Sequence, residues 1–151
     1  MKLPNEAIEE RMMSEYVSEK LRSRKTWTHL RVGMPPGVKR GAPNWEYERR
    51  IKLPRLMEAD VVYWEGLDVM LVEFKVRRFQ EAVGKLQQYK ILLPDTPDFF
   101  DVDPDRIRLK IVFGRPDIMA ENLARSLGIE VEHYEPEWLK QAIIARSGGP
   151  I

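Results

Sequence analysis

Glu58-Ala59-Asp60-Val61-Val62-Tyr63-Trp64-Glu65-Gly66-Leu67-Asp68-Val69-Met70-Leu71-Val72-Glu73-Phe74-Lys75-Val76 is the stretch on which the reading of this 151-residue chain turns. Residues 56–64 alternate and are rich in Val, Tyr and Trp, and residues 68–76 are rich in Val, Leu, Met and Phe. Both read as β-strands, with Glu65-Gly66 as the hairpin turn between them. Three ionisable residues, Asp60, Glu73 and Lys75, interrupt this apolar hairpin. Side chains alternate faces along a strand, so Glu73 and Lys75 share a face about 6.6 Å apart. Val72 and Phe74 point the other way. The hairpin brings Asp60 close to one of these positions. Two carboxylates and an ammonium then converge on one side of a largely buried sheet, where such groups are costly without a partner or a role.

Working outward, residues 5–23 carry Ile8, Met12, Met13, Tyr16, Val17 and Leu21 at helical spacing. Glu9 falls in the middle of that apolar stripe. It needs a partner there, either the Asp60/Glu73 cluster or a basic side chain such as Lys20 or Arg24. Residues 26–32 read as a strand with Trp27 or Thr28 toward the core. Residues 33–43 are a loop with three Gly and three Pro. Residues 45–53 alternate Trp45, Tyr47, Arg49 and Ile51 with Glu46, Glu48 and Arg50, and read as an extra strand ended by Pro54. After the hairpin, Phe79, Ala82, Val83, Leu86, Tyr89 and Leu93 make one stripe of a helix over 79–93. An acidic, Pro-rich connector spans 94–105. A strand at 106–113 follows, then a helix at 118–127 capped by Asp117 and stopped by Gly128. A strand at 129–134, a helix at 136–146 and a fraying tail at 147–151 complete the chain.

The length suits one domain, 1–151. A hydrophobic content of 43% with 32% charged residues fits a globular chain. No run approaches a membrane span and no secretory leader is present, so the expectation is an intracellular, cytoplasmic protein that is not secreted. The absence of cysteine excludes disulfides, Cys-based zinc sites and iron–sulfur clusters. His29 and His133 are too isolated to suggest a histidine site, and no Gly-rich phosphate loop occurs. Net charge is +1, but residues 20–55 hold eleven Lys/Arg against two Glu, a local +9. Such a segment suggests a surface for a polyanion, or a solvated basic face.

Asp60 on the first strand and Glu73-Phe74-Lys75 on the second resemble the active-site signature of the PD-(D/E)XK nuclease superfamily. Ala59 stands where that family has Pro, and Lys85 stands where its exonuclease branch has Gln before Leu86 and Tyr89. The resemblance covers roughly residues 5–113. It implies an α/β fold with a restriction-endonuclease-like core, a small mixed sheet flanked by helices in the order α-β-β-β-α-β, here followed by an α-β-α extension. It implies metal-dependent hydrolysis of phosphodiester bonds, most readily in DNA, with endo- or exonucleolytic action undecided. Asp60, Glu73, Lys75 and Glu9 would be catalytic. Asp60, Glu73 and the Phe74 carbonyl would hold Mg²⁺ or Mn²⁺, hard cations that take oxygen ligands.

Lys85, on the following helix, is a candidate for contact with nucleic acid or a solvated helix residue. In the basic segment the candidates are Arg40, Arg49, Arg50, Lys52 and Arg55. Arg55 lies five residues before Asp60, at most about 17 Å away, so this segment must border the active-site edge of the sheet or fold over it. The alternative function is a non-catalytic DNA-binding module on an inactive nuclease fold. The oligomeric state is open, a homodimer being among the options.

Overall fold

The computed structural model describes residues 5–146; the tail 147–151, expected to fray, lies outside the described residues. In chain order the elements are α1 (Asn5–Lys20), β1 (Thr26–Arg31), α2 (Trp45–Ile51), β2 (Glu58–Glu65), β3 (Asp68–Lys75), α3 (Phe79–Leu92), β4 (Ile107–Phe113), α4 (Ile118–Ser126), β5 (Glu130–His133) and α5 (Glu137–Arg146). The strands form one mixed sheet in the order β1-β2-β3-β4-β5. β1, β2 and β3 pair antiparallel, and β3-β4 and β4-β5 pair parallel.

Alternation along β3 divides its side chains between two cores. Val69 and Leu71 pack with Phe79, Leu86 and Tyr89 of α3 and with Ala120 and Ala124 of α4. Met70, Val72 and Phe74 pack with Ile8, Met12, Met13 and Tyr16 of α1 and with Leu139 of α5. The result is a three-layer α/β/α arrangement with β3 at its centre, covered on both sides. That double cover is why β3 reads as a nearly continuous apolar run rather than a clean alternation. The hairpin turn lies one residue later than expected: Glu65 pairs with Asp68 as the end of β2 and Gly66-Leu67 make the turn, with Gly66 at φ 63, a conformation that favours glycine.

Residues 45–53 are not a strand. They form α2 followed by a 3₁₀ turn at Leu53–Arg55. The period-2 alternation had no face to bury: α2 contains no buried residue, and Tyr47 and Ile51 are 61% and 59% exposed. Its charge order, Glu46 and Glu48 first and Arg49 and Arg50 last, complements the helix dipole and favours the helix instead. Trp45 packs against Phe100 at 5.6 Å. Among the described residues no helix is long and apolar enough to cross a membrane.

Candidate active site

The β2-β3 ladder runs from Glu65↔Asp68 to Val61↔Val72 and stops there. The next pair in register is Asp60 and Glu73, and their side chains take over from the ladder. Glu73 Oε1 accepts the Asp60 amide at 3.2 Å, and Asp60 Oδ2 accepts the Phe74 amide at 2.9 Å. Each carboxylate is thereby held by the other residue's strand. On the far side of β2 the pairing with β1 passes from Thr28↔Val61 to Leu30↔Ala59 and skips His29, opposite Asp60. His29 has φ 54, which is uncommon outside glycine. Ala59 and Val61 would share a face in a regular strand, yet they enter opposite cores. The sheet therefore kinks across His29 and Asp60, and the kink opens the space in front of Glu73.

That space is a cleft of about 850 Å³ lined by Glu9, Asp60, Glu73, Phe74, Lys75 and Lys85, with His29, Glu58 and Glu81 at its walls. Lys75 is only 13% exposed and lies between Glu9 Oε2 at 3.9 Å and Glu81 Oε2 at 3.7 Å. Glu9 Oε2 also accepts the Val76 amide at 2.9 Å, tying α1 to the end of β3. Both readings of Glu9 meet in the cleft, which it lines beside Asp60 and Glu73 while its ion pair is with a basic side chain, Lys75. Lys20 pairs with Glu132 and Arg24 with Glu65 instead.

The electrostatics follow from burial. Glu73 is 4% exposed. Desolvation, and then the charge of Asp60, push its carboxyl from 4.5 up to about 8. Asp60 is raised by burial, against the pull of the Phe74 amide. Glu9 is raised by burial too, against the Val76 amide and Lys75. The Tyr89 hydroxyl, raised by burial and the neighbouring Glu73, donates to the Glu58 carbonyl at 2.9 Å. Two facing carboxyls that cannot both ionise cheaply form a site of surplus negative potential. Among the described residues no three His, Cys, Asp or Glu side chains stand ready-grouped around an ion position.

The sequence reading of His29 as isolated is corrected. Its Nδ1 lies 2.8 Å from Glu58 Oε1 and its Nε2 lies 2.8 Å from Glu10 Oε1, so it bridges α1 and β2 at the rim of the cleft. Its pKa is raised, first by the Glu10 hydrogen bond. Glu10, Glu58 and Glu81 were likewise not singled out. The only signal for them is the register of β1 on β2 and the packing of α1 and α3 against the sheet, none of which is local.

Of the basic candidates, Lys85 lines the cleft and Arg40, Arg49, Arg50, Lys52 and Arg55 do not. Arg49 is a strut. Its Nε donates to the Gly33 carbonyl at 3.0 Å and its Nη2 to the Arg31 carbonyl at 2.8 Å. This anchors α2 beside the end of β1 that carries the Arg31–Glu58 pair, so the segment does border the active-site end of the sheet. Arg40 makes a two-pronged pair with Asp101 at 2.9 Å and stacks on Phe100. Arg50 and Arg55 are exposed.

No family model matches the chain, and no curated protein matches it in sequence. Solved structures do resemble it. A crystal structure of AF1548, a protein of unknown function, superposes with a TM-score of 0.50 at 14% identity, over 93% of this chain and 67% of that one. A repair endonuclease from Pyrococcus abyssi gives 0.50 at 17% identity, over 90% of this chain and 49% of that one. A complex of EndoMS with double-stranded DNA gives 0.49 at 18% identity, over 90% and 47%. This chain spans about half the length of the repair endonuclease. The first two likenesses show the fold: this chain shares the α/β arrangement of those two proteins, one of them a repair endonuclease, as the resemblance at Asp60 and Glu73-Phe74-Lys75 implied.

Proposed function

We propose that this chain is a divalent-metal-dependent nuclease that hydrolyses phosphodiester bonds in DNA at the Asp60/Glu73 cleft. The observation that carries this reading is the break in the β2-β3 ladder, where buried Glu73 and half-buried Asp60 are held opposite one another by each other's strands with a half-buried lysine beside them. A sheet that gives up ladder pairing to seat charged groups bears a cost that function would explain.

The donor set fits Mg²⁺ or Mn²⁺. Asp60 and Glu73 are hard oxygen donors; burial first, and then their mutual repulsion, raises Glu73 to about 8, and a divalent cation relieves the repulsion. Phe74 sends its amide toward Asp60, and in an extended strand the carbonyl of the same residue points the same way, which supports it as a third ligand. Mg²⁺ keeps most of its waters, so a short protein ligand list suffices. When bound, the ion supplies charge neutralisation at the phosphate and lowers the pKa of water.

The chain's own residues do the remaining work. Lys75, flanked by Glu9 and Glu81, stabilises the negative charge that builds on the phosphoryl oxygens. Glu9 fixes both the Lys75 ammonium and the end of β3, which holds Lys75 at a constant distance from Asp60 and Glu73. Incubation of the protein with circular and end-labelled linear DNA, in Mg²⁺ or Mn²⁺ and then in EDTA, tests the reading. Cleavage that EDTA stops, and that Asp60→Asn, Glu73→Gln and Lys75→Gln each abolish, is the expected result. Nicked circles mean an endonuclease, and shortened linear strands beside intact circles mean an exonuclease. Parent protein that cuts neither substrate, or variants that cut as well as the parent, would overturn it.

A further inference from the structure

A second cleft, about 340 Å³, opens beside the first, between the start of α3 and the β4-α4 turn. Arg77, Arg78 and Arg115 line it, together with Phe79, Gln80 and Asp117. Arg77 and Arg115 are exposed and have no acidic partner among the described residues, and Arg78 makes only a 3.8 Å contact with Glu81. The one carboxylate there, Asp117, is engaged as the cap of α4, accepting the Ala120 amide at 3.0 Å. Arg78 adopts φ 53 and leaves the first turn of the 14-residue α3 without a side-chain cap, so open amides and the positive end of the helix dipole face the same space.

Three guanidiniums share this cleft with one engaged carboxylate, Asp117, and one distant one, Glu81, and a polyanion relieves the repulsion that remains among them. Arginine suits phosphate, since its planar fork presents paired donors to two oxygens. The two clefts adjoin, Arg77 and Arg78 lining both. Arg77 stands two residues beyond Lys75, about 6.6 Å along an extended chain. Meanwhile Arg40 and Arg49 of the basic segment already hold Asp101 and backbone carbonyls.

We propose that the Arg77/Arg78/Arg115 cleft binds backbone phosphates of the DNA strand next to the one cleaved, so that the strand runs from the Asp60/Glu73 cleft past the start of α3 to the β4-α4 turn. This rests on the nuclease reading above and gives the substrate its path. Each phosphate contact contributes roughly 0.7–0.9 to the slope of log affinity against log salt. Losing two contacts flattens that slope by about 1.4–1.8, so a rise from 50 to 200 mM salt weakens the parent roughly tenfold more than the variant.

The test is fluorescence anisotropy with a short fluorescein-labelled DNA duplex and its single strand, in Ca²⁺, across that salt range. Arg77→Gln/Arg115→Gln should show the flattened slope. Arg77→Lys/Arg115→Lys should retain it. Arg22→Gln/Arg106→Gln, which removes the same charge elsewhere, should leave the slope at the parent's value. A parent that binds and cuts DNA while the glutamine variant keeps the parent's slope, or while the control pair flattens it equally, overturns the proposed path and leaves the nuclease reading standing. A parent that binds neither probe overturns both.

Discussion

Replacing Glu73 with Gln should stabilise the metal-free protein at alkaline pH. Glu73 is 4% exposed and its carboxyl is pushed from 4.5 up to about 8 by burial and by Asp60. Between those values the folded state keeps a proton that the unfolded state has released. The folded state binds more protons there, so unfolding free energy falls as pH rises, by up to ~1.4 kcal/mol per pH unit. Stability linked to Glu73 is therefore greatest below pH 4.5 and is lost progressively toward pH 8. Asp60, also raised, acts in the same direction. At ~1.4 kcal/mol per unit between 4.5 and about 8, the loss by pH 8 is on the order of 4–5 kcal/mol, a large share of the ~5–15 kcal/mol typical of a domain.

Glu73→Gln keeps the shape, removes the titration and should regain that amount at pH 8 in EDTA, on the order of 8–20 °C in Tm. Urea unfolding of parent and variant at pH 5, 6.5 and 8 in EDTA measures it. His29, whose pKa is raised, also loses its contribution as pH climbs, but it is common to both proteins and cancels in the difference. Mg²⁺ at pH 8 should restore stability to the parent and not to the variant. A difference curve flat from pH 5 to 8, or a Gln variant that is less stable at pH 8, would refute the reasoning.

Glu9→Gln should lower cleavage on the order of 10–100-fold, as loss of a supporting partner does, while Tm stays near the parent's; single-turnover rates and thermal unfolding check it. Arg49→Ala removes two hydrogen bonds to backbone carbonyls and should cost about 1–3 kcal/mol, with the DNA salt slope unchanged; a flattened slope would return Arg49 to the phosphate contacts. Gly114→Ala places a Cβ 2.7 Å from Val76 Cγ1 and 3.0 Å from Leu139 Cδ2, and overpacking there should cost about 1–3 kcal/mol in urea denaturation.

Much of this molecule is written locally. The Val-, Tyr- and Trp-rich alternation of 56–64 and the apolar run of 68–76 made β2 and β3, with Gly66 in the turn. The stripes Ile8/Met12/Met13/Tyr16 and Phe79/Ala82/Leu86/Tyr89 made α1 and α3 and pointed the right faces inward. Periodicity sufficed in these cases because each element buries one continuous face, and side-chain spacing reports that face without knowledge of the neighbour. The same logic misread 45–53, where nothing is buried and the order of the charges decided for a helix.

Asp60, Glu73 and Lys75 were legible as a set because ionic residues inside an apolar hairpin are rare. What they do to the sheet was not. Local sequence carries no information on which strand lies beside β2, so the skipped pair His29–Asp60, the stopped ladder at Val61↔Val72 and the bridge of His29 to Glu10 and Glu58 appear only in three dimensions. The basic residues divide for the same reason. A +9 segment is visible in the chain, but whether an arginine is free for phosphate depends on which acceptors the fold brings within reach. Folding took Arg40 to Asp101 and Arg49 to two carbonyls, and it left Arg77 and Arg115, far apart in sequence, facing one cleft.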